Sequence, residues 1–335
     1  MKRKQILKVN IFILIFILLF YGSSEVLKRK SINGAWNFSI KTGGFYNLEK
    51  DSLDVIAIGS SHCYCSFNPI VMWNEKGVKS YVLSSQQQPI KASYYYLKEA
   101  LKTQKPQVVM LEAYMAGIDM SEPDEGVVRD AYEFFKPSLN KLEMIHDLAP
   151  KENYLEYYFT FFKYHSRWSE VTVEDFNRDY KKRTDDFRGY VFLTDGAPQS
   201  KPETYESRNV EYITGDNREY MNKIIEISKE NNIQLVLWYA PYMIYEENLA
   251  RLNGIEEFAS ENDIIFINAL NLMDELDEEQ DFYDGGHVNY KGSEKVTKYL
   301  ADNLLERCEI NIRNSDEQIQ EWNLLSENYE GLKPQ

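Results

Sequence analysis

The stretch "VIAIGSSHCYCSF", Val55 to Phe67, carries Val-Ile-Ala-Ile-Gly straight into Ser-Ser-His and then sets two cysteines one residue apart. A short apolar run closed by glycine suits a strand buried on both faces, and such strands belong to parallel sheets covered by helices. The same kind of run returns in "VKSYVL" (Val78 to Leu83), "PQVVMLEA" (Pro106 to Ala113), "IQLVLWYAP" (Ile233 to Pro241) and "IIFINA" (Ile264 to Ala269). Between the runs lie amphipathic stretches of helical period: Lys91 to Gln104, Asp216 to Asn232 and Glu246 to Asn262. Over residues 54–308 this alternation predicts an α/β fold built on a flavodoxin-like, doubly wound parallel sheet.

The alternation stops between about residues 116 and 215, where "YEFF", "NYLEYYFTFFKYHSRW" and "DFRGYVF" crowd aromatic side chains together. That segment reads as an aromatic-rich insertion with helical pieces. Residues 31–53 read as a polar connector, and residues 309–335 as an acidic, polar tail that packs weakly or frays. The first 30 residues, "MKRKQILKVNIFILIFILLFYGSSEVLKRK", place an apolar run from Val9 to Tyr21 behind Lys2, Arg3, Lys4 and Lys8. Taken as helix, Val9 to Leu27 extends about 28 Å, enough to cross a bilayer core. A retained transmembrane anchor and a signal peptide cleaved near Gly22 to Ser24 both fit. The basic excess lies at the N-terminal side, so the expected orientation leaves the remaining ~300 residues outside the cell.

The 335 residues carry 53 acidic against 38 basic side chains, a formal net charge of −15. Such a surface repels phosphate backbones, and nucleic acid is not an expected partner. Cys63, Cys65 and Cys308 are too few and too scattered for a disulfide framework or a structural zinc site, so buried free thiols are expected, with no metal or cofactor. Cys63 as a nucleophile is a minor alternative.

In open α/β sheets ligands bind beyond the carboxyl ends of the strands, which is where Gly59-Ser60-Ser61 falls. Gly59 permits a sharp turn there, and either serine could be raised to the sheet edge. A Gly-Ser-Ser turn also serves as an ordinary helix cap. A second fragment, "DFYDGGHVNYKGSEKVTKYL", sets Asp284 and His287 three residues apart in a glycine-rich loop before the last helix of the α/β region. A carboxylate there can bind one imidazole nitrogen and leave the other free to take a proton from a serine. Asn289 is placed to cap the following helix, and Gly292 to let it pack closely.

Together, "GSSH" after the first strand and "DGGHVNYKG" before that helix resemble the SGNH hydrolases, the GDSL-like serine esterases and acyltransferases. The resemblance implies Ser61 as nucleophile, His287 as general base and Asp284 as its orienting partner, with Ser60 well behind Ser61. The anchor and the stretch "SSQQQPIKASYYYLKEALKTQKPQVVMLEAY" are further similar to the exported branch containing the D-alanyl transfer protein of lipoteichoic acid synthesis. That likeness implies acyl-ester chemistry on a cell-envelope polymer, alongside a membrane-bound O-acyltransferase.

The chain departs from the family where a second block usually supplies a glycine amide and a third an asparagine side chain to the oxyanion. Here the second block falls at Ser84 to Gln88, and "MLEAY" offers Glu112 and Tyr114. The expected donors are the Ser61 amide with a Ser85 amide, the Gln86 side chain or the Tyr114 hydroxyl. His165, Arg167 and Trp168 in "YHSRW" have a composition suited to an anionic sugar or phosphate polymer. Equally, Trp168 can anchor the insertion and Arg167 pair with a local carboxylate. An inactive binding or assembly subunit that keeps a remnant of the triad is the competing functional reading.

Overall fold

The computed structural model describes residues 3–194, 196–197, 199–200 and 207–334, and the side chains of Glu246 and Glu247 are not described. Its centre is a five-stranded sheet: β1 (Val55–Gly59), β2 (Ser80–Ser84), β3 (Val108–Glu112), β4 (Gln234–Tyr239) and β5 (Ile265–Asn268). The spatial order is β2-β1-β3-β4-β5 and every pairing is parallel, with Gly59 beside Ser84, Ile58 beside Leu111 and Glu112 beside Trp238. This is the flavodoxin-like order, whose switch point lies between β1 and β3. Every residue of β1, β2 and β3 is buried, and these strands are apolar through their middles, with Ser80, Ser84 and Glu112 at the ends of β2 and β3.

The helices, in chain order, are α1 (Arg3–Leu27), α2 (Phe38–Phe45), α3 (Ser61–Ser66), α4 (Pro69–Lys76), α5 (Ile90–Ala100), α6 (Glu125–Tyr132), α7 (Leu139–Leu148), α8 (Tyr154–Tyr158), α9 (Thr160–Tyr164), α10 (Gly215–Glu230), α11 (Glu246–Glu261), α12 (Tyr290–Arg307) and α13 (Asp316–Leu332). Helix α5 packs on α10 and α7, while α4 packs on α12, so helices cover both faces of the sheet. Tyr95 of α5 and Tyr220 of α10 both donate to the Asp147 carboxylate at the end of α7. Tyr96 is fully buried beneath them. A small antiparallel hairpin, β6 (Phe282–Asp284) and β7 (His287–Val288), leads into α12.

Gly59 does its work differently from the sequence expectation. It has no left-handed φ among the described backbone angles, but a Cβ built on it would stand 2.7 Å from the Glu112 Cβ and 2.9 Å from the Cys63 Cβ. Glycine is needed because strand β3 and helix α3 close in on it, not because the chain turns sharply there.

The C-terminal residues also correct an expectation. Residues 316–332 form α13, opened by a reciprocal capping box between Ser315 and Gln318. Trp322, Leu325 and Tyr329 form a buried stripe at helical spacing that the surrounding Glu, Gln and Asn residues hide in a composition average. Trp322 stacks on Trp73 of α4 at 5.5 Å, the Trp73 indole donates to Asn323 at 3.1 Å, and Tyr329 donates to Glu294 at 2.9 Å.

At the other end, α1 stands with its apolar side chains exposed from Ile6 to Leu19. Its 25 residues make it about 37 Å long. By length and composition it is able to cross a membrane, a property it shares with signal sequences. Between β3 and β4 the chain runs through α6 to α9 and several short 3-10 turns, including His165–Ser169, Val173–Phe176 and Asp179–Lys182.

Candidate active site

Strands β2, β1 and β3 deliver their carboxyl ends side by side, so the residues after Ser84, Gly59 and Glu112 meet at one edge of the sheet. Ser60 takes an extended conformation and opens α3, and Ser61 is the first helical residue. The Cys63 and Tyr64 amides close this first turn onto the Ser60 carbonyl, at 3.0 and 3.3 Å. Ser60 is buried and its hydroxyl turns back to donate to Glu112 Oε2 at 3.3 Å. Ser61 is half-buried and its hydroxyl is hydrogen-bonded to that of Tyr64, one turn along α3. Tyr64 is in turn enclosed by the rings of Trp36 at 5.9 Å and Phe38 at 5.2 Å.

The hairpin β6–β7 supplies the second half. Buried Phe282 and Val288 fix it to the core, and Gly285-Gly286 turn it so that Asp284 pairs with His287. His287 Nδ1 lies 2.9 Å from Asp284 Oδ1 and 3.1 Å from Oδ2, while the Gly286 amide donates to Oδ1 at 2.8 Å. With Nδ1 donating to the carboxylate, Nε2 is the acceptor. That Nε2 is buried and has no hydrogen-bond partner among the described residues. The loop after β4 braces the turn, Met243 donating its amide to the Gly285 carbonyl at 2.9 Å. Behind it, Asn289 caps α12 by accepting from the Lys291 and Gly292 amides, and a Cβ on Gly292 would overlap the Asp281 carbonyl.

Helix α3 packs against β7, which brings the Ser61 segment to the His287 segment. Among the described residues no hydrogen bond joins Ser61 to His287. The ring between the two segments is His62, which crosses His287 at 88° with centroids 5.5 Å apart and lies against Tyr114 at 4.3 Å and Tyr242 at 4.9 Å. Burial, with the nearby His287, holds the His62 pKa down at about 3, so this imidazole is neutral at physiological pH.

Of the expected oxyanion donors, Ser85 is buried with its hydroxyl donating to Gln88 Oε1 at 3.0 Å, and Gln86 is exposed in the turn after β2. Tyr114 stacks on His62, and its amide donates to Glu112 Oε1 at 3.1 Å. Glu112 is fully buried and accepts from the Tyr114 and Ala240 amides and from Ser60. Burial outweighs those bonds and pushes its pKa up to about 8. The third block therefore places a largely protonated acid, anchored by backbone amides, at the end of β3.

His165, Arg167 and Trp168 are not brought to the strand ends. They lie against the C-terminal end of α1: Arg167 donates to the Leu27 carbonyl at 2.5 Å and pairs with Asp175 at 3.2 Å, and His165 Nδ1 meets the Phe162 carbonyl at 2.8 Å. Trp168 is exposed, so it does not anchor the insertion to the core. All three cysteines are free and buried, and burial raises each thiol pKa, Cys63 included, which disfavours a thiolate nucleophile. Among the described residues no cluster of His, Cys, Asp or Glu has the makings of a metal site. Sequence reasoning missed Tyr64 and Tyr242; the one available signal was position, Tyr64 one helical turn after Ser61 and Tyr242 just beyond the end of β4.

No family model and no curated protein matches the chain. Among solved structures, it is similar to a protein assigned to the G-D-S-L lipolytic family from Desulfitobacterium hafniense DCB-2. The two share 12% identity at a TM-score of 0.39 over 75% of this chain and 98% of the other. The α/β assignment stands on the strand order and the parallel pairings themselves.

Proposed function

We propose that the chain is a membrane-anchored, extracytoplasmic serine esterase or O-acyltransferase acting on acyl esters of a cell-envelope polysaccharide or teichoic acid. The observation that carries this reading is the Asp284–His287 hydrogen bond, which leaves a buried, unpartnered Nε2 on a hairpin packed against the helix that Ser61 opens. In this mechanism Ser61 donates to His287 once substrate orders the site; catalytic hydrogen bonds are commonly loose before substrate binds. Ser61 Oγ then attacks the ester carbonyl as its proton passes to His287 Nε2, and Asp284 stabilises the resulting imidazolium. Collapse of the tetrahedral intermediate expels the alcohol, which takes the proton from His287 and leaves an acyl-Ser61 ester. Water or a polymer hydroxyl, deprotonated by His287, resolves that ester. A membrane-bound O-acyltransferase is the companion this reading favours as the source of the acyl group.

The Ser61 amide is one oxyanion donor, with the Ser85 amide, the Gln86 side chain or the Tyr114 hydroxyl as the second. Each such donor is worth roughly 2.7–4 kcal/mol of transition-state stabilisation. A fluorophosphonate probe tests the assignment: wild type should label, and Ser61→Ala should not. Labelling that persists in the variant removes Ser61. Glu112 favours a second reading, an inactive binding or assembly subunit, because an acid holding amides inward stands where a donor is wanted. Under that reading Ser61→Ala and His287→Ala leave the cellular phenotype intact at normal expression and localisation.

A further inference from the structure

The helical pieces between β3 and β4 turn an apolar face outward where they meet α1. Leu155, Phe159, Phe162, Trp168, Val173 and Phe176 are all exposed, Trp168 at 75% and Val173 at 79%. A soluble surface rarely gathers so many large apolar side chains without something to cover them. The patch is continuous with α1: the ring of Phe20 lies 5.9 Å from Phe159, 5.0 Å from Phe161 and 6.0 Å from Phe162. Phe20 stands at the end of the apolar run of α1, just before Ser23, Ser24 and Glu25. It therefore marks the level at which a membrane-crossing helix leaves hydrocarbon. The join is tied by polar contacts at the same level, with Lys30 paired to Asp175 at 3.5 Å and Arg167 donating to the Leu27 carbonyl. Exposed ion pairs flank it, Arg29 with Glu170 and Lys182 with Asp179, each at 3.9 Å.

We propose that this face is an interfacial seat, set into the headgroup and upper acyl region of the same bilayer that α1 crosses. The inference rests on reading α1 as a membrane span. A bilayer that surrounds Phe16 and Phe20 must also meet the phenylalanines that touch Phe20, which selects lipid as the occupant over a second copy or another protein. Aromatic rings beside charged side chains at the end of a span are the composition that such a boundary favours. The seat adds a second attachment beside α1 and fixes how the catalytic domain stands on the membrane.

The full chain, reconstituted into phosphatidylcholine and phosphatidylglycerol vesicles, tests this. Flotation reports insertion through α1. Lipids brominated near the headgroup end of their chains then report on Trp168, whose emission is taken as the difference between wild type and Trp168→Phe. The seat predicts flotation together with a blue-shifted Trp168 component that brominated lipid quenches and aqueous acrylamide does not. Flotation with Trp168 open to acrylamide, or shielded from both quenchers as a protein partner or second copy would do, overturns the seat while leaving α1 as a span. Failure to float overturns both. Val173→Cys carrying an environment-sensitive fluorophore repeats the measurement from a second exposed position, and a water-like emission there in floated vesicles also counts against the seat.

Discussion

Replacing Glu112 by Gln isolates the energetics of the buried acid at the end of β3. Burial raises the pKa of this carboxyl from an ordinary 4.5 to about 8, so the folded protein holds its proton over a range in which the unfolded chain has lost it. Between those limits the unfolded state binds fewer protons than the native state, and stability must fall as pH rises. The interval, at about 1.4 kcal/mol per pH unit, is worth about 5 kcal/mol, reached in full only above the folded pKa. Glutamine keeps an oxygen for the Tyr114 and Ala240 amides, offers an N–H to Ser60, and cannot ionise. Urea unfolding of the full chain in detergent from pH 5 to pH 9 should show wild type losing about 4 kcal/mol more than Glu112→Gln across that range. The variant should be the more stable protein at pH 9 and nearly equal at pH 5. Parallel pH profiles for the two proteins refute the reasoning, because they mean that Glu112 ionises inside the fold without cost.

Asp284→Asn keeps the size of the side chain but removes the carboxylate that holds His287 Nδ1 as the donor; under the triad reading, turnover of an ester substrate should fall by up to about 10⁴-fold with binding little changed. Gly59→Ala forces a methyl against Glu112 and Cys63, and should cost about 1–3 kcal/mol in thermal or urea unfolding. Trp322→Ala removes the stack on Trp73 and should cost about 3–5 kcal/mol and open residues 309–335 to limited proteolysis, whereas a loosely packed tail would show neither effect.

The strands were legible because a strand buried on both faces is apolar through its middle, and no long-range information is needed to see that. The pairing of Asp284 with His287 was legible for a related reason: three residues of sequence separation across a glycine turn confine the two side chains to one hairpin. Helix α13 was not, because its buried positions are three or four residues apart in a segment whose average is polar, and only the packing surface on α4 separates that stripe from a solvated tail. Arg167 and Trp168 illustrate the limit from the other side. A composition suited to anion binding cannot say whether the charge is already spent, and Asp175, eight residues along, occupies Arg167.

The environment of Ser61 depends on contacts that sequence spacing does not encode. Ser60 and Ser61 are adjacent in sequence but belong to different surroundings: one closes on Glu112 at the sheet, the other lies with Tyr64, which packs on Trp36 and Phe38. Glu112 in turn holds its place through the amide of Ala240, 128 residues away in sequence and beyond the end of the neighbouring strand. An asparagine at this site would aim a donor outward; a buried glutamic acid gathers donors inward. Under the esterase proposal, a second oxyanion contact comes from the flanks of the acid, where Tyr114 on one side and the Ser85-Gln86 turn on the other stand at the ends of the two strands that border β1. This is why Glu112→Gln should alter stability with pH far more than it alters ester turnover, while substitutions at Tyr114 or Gln86 should do the reverse.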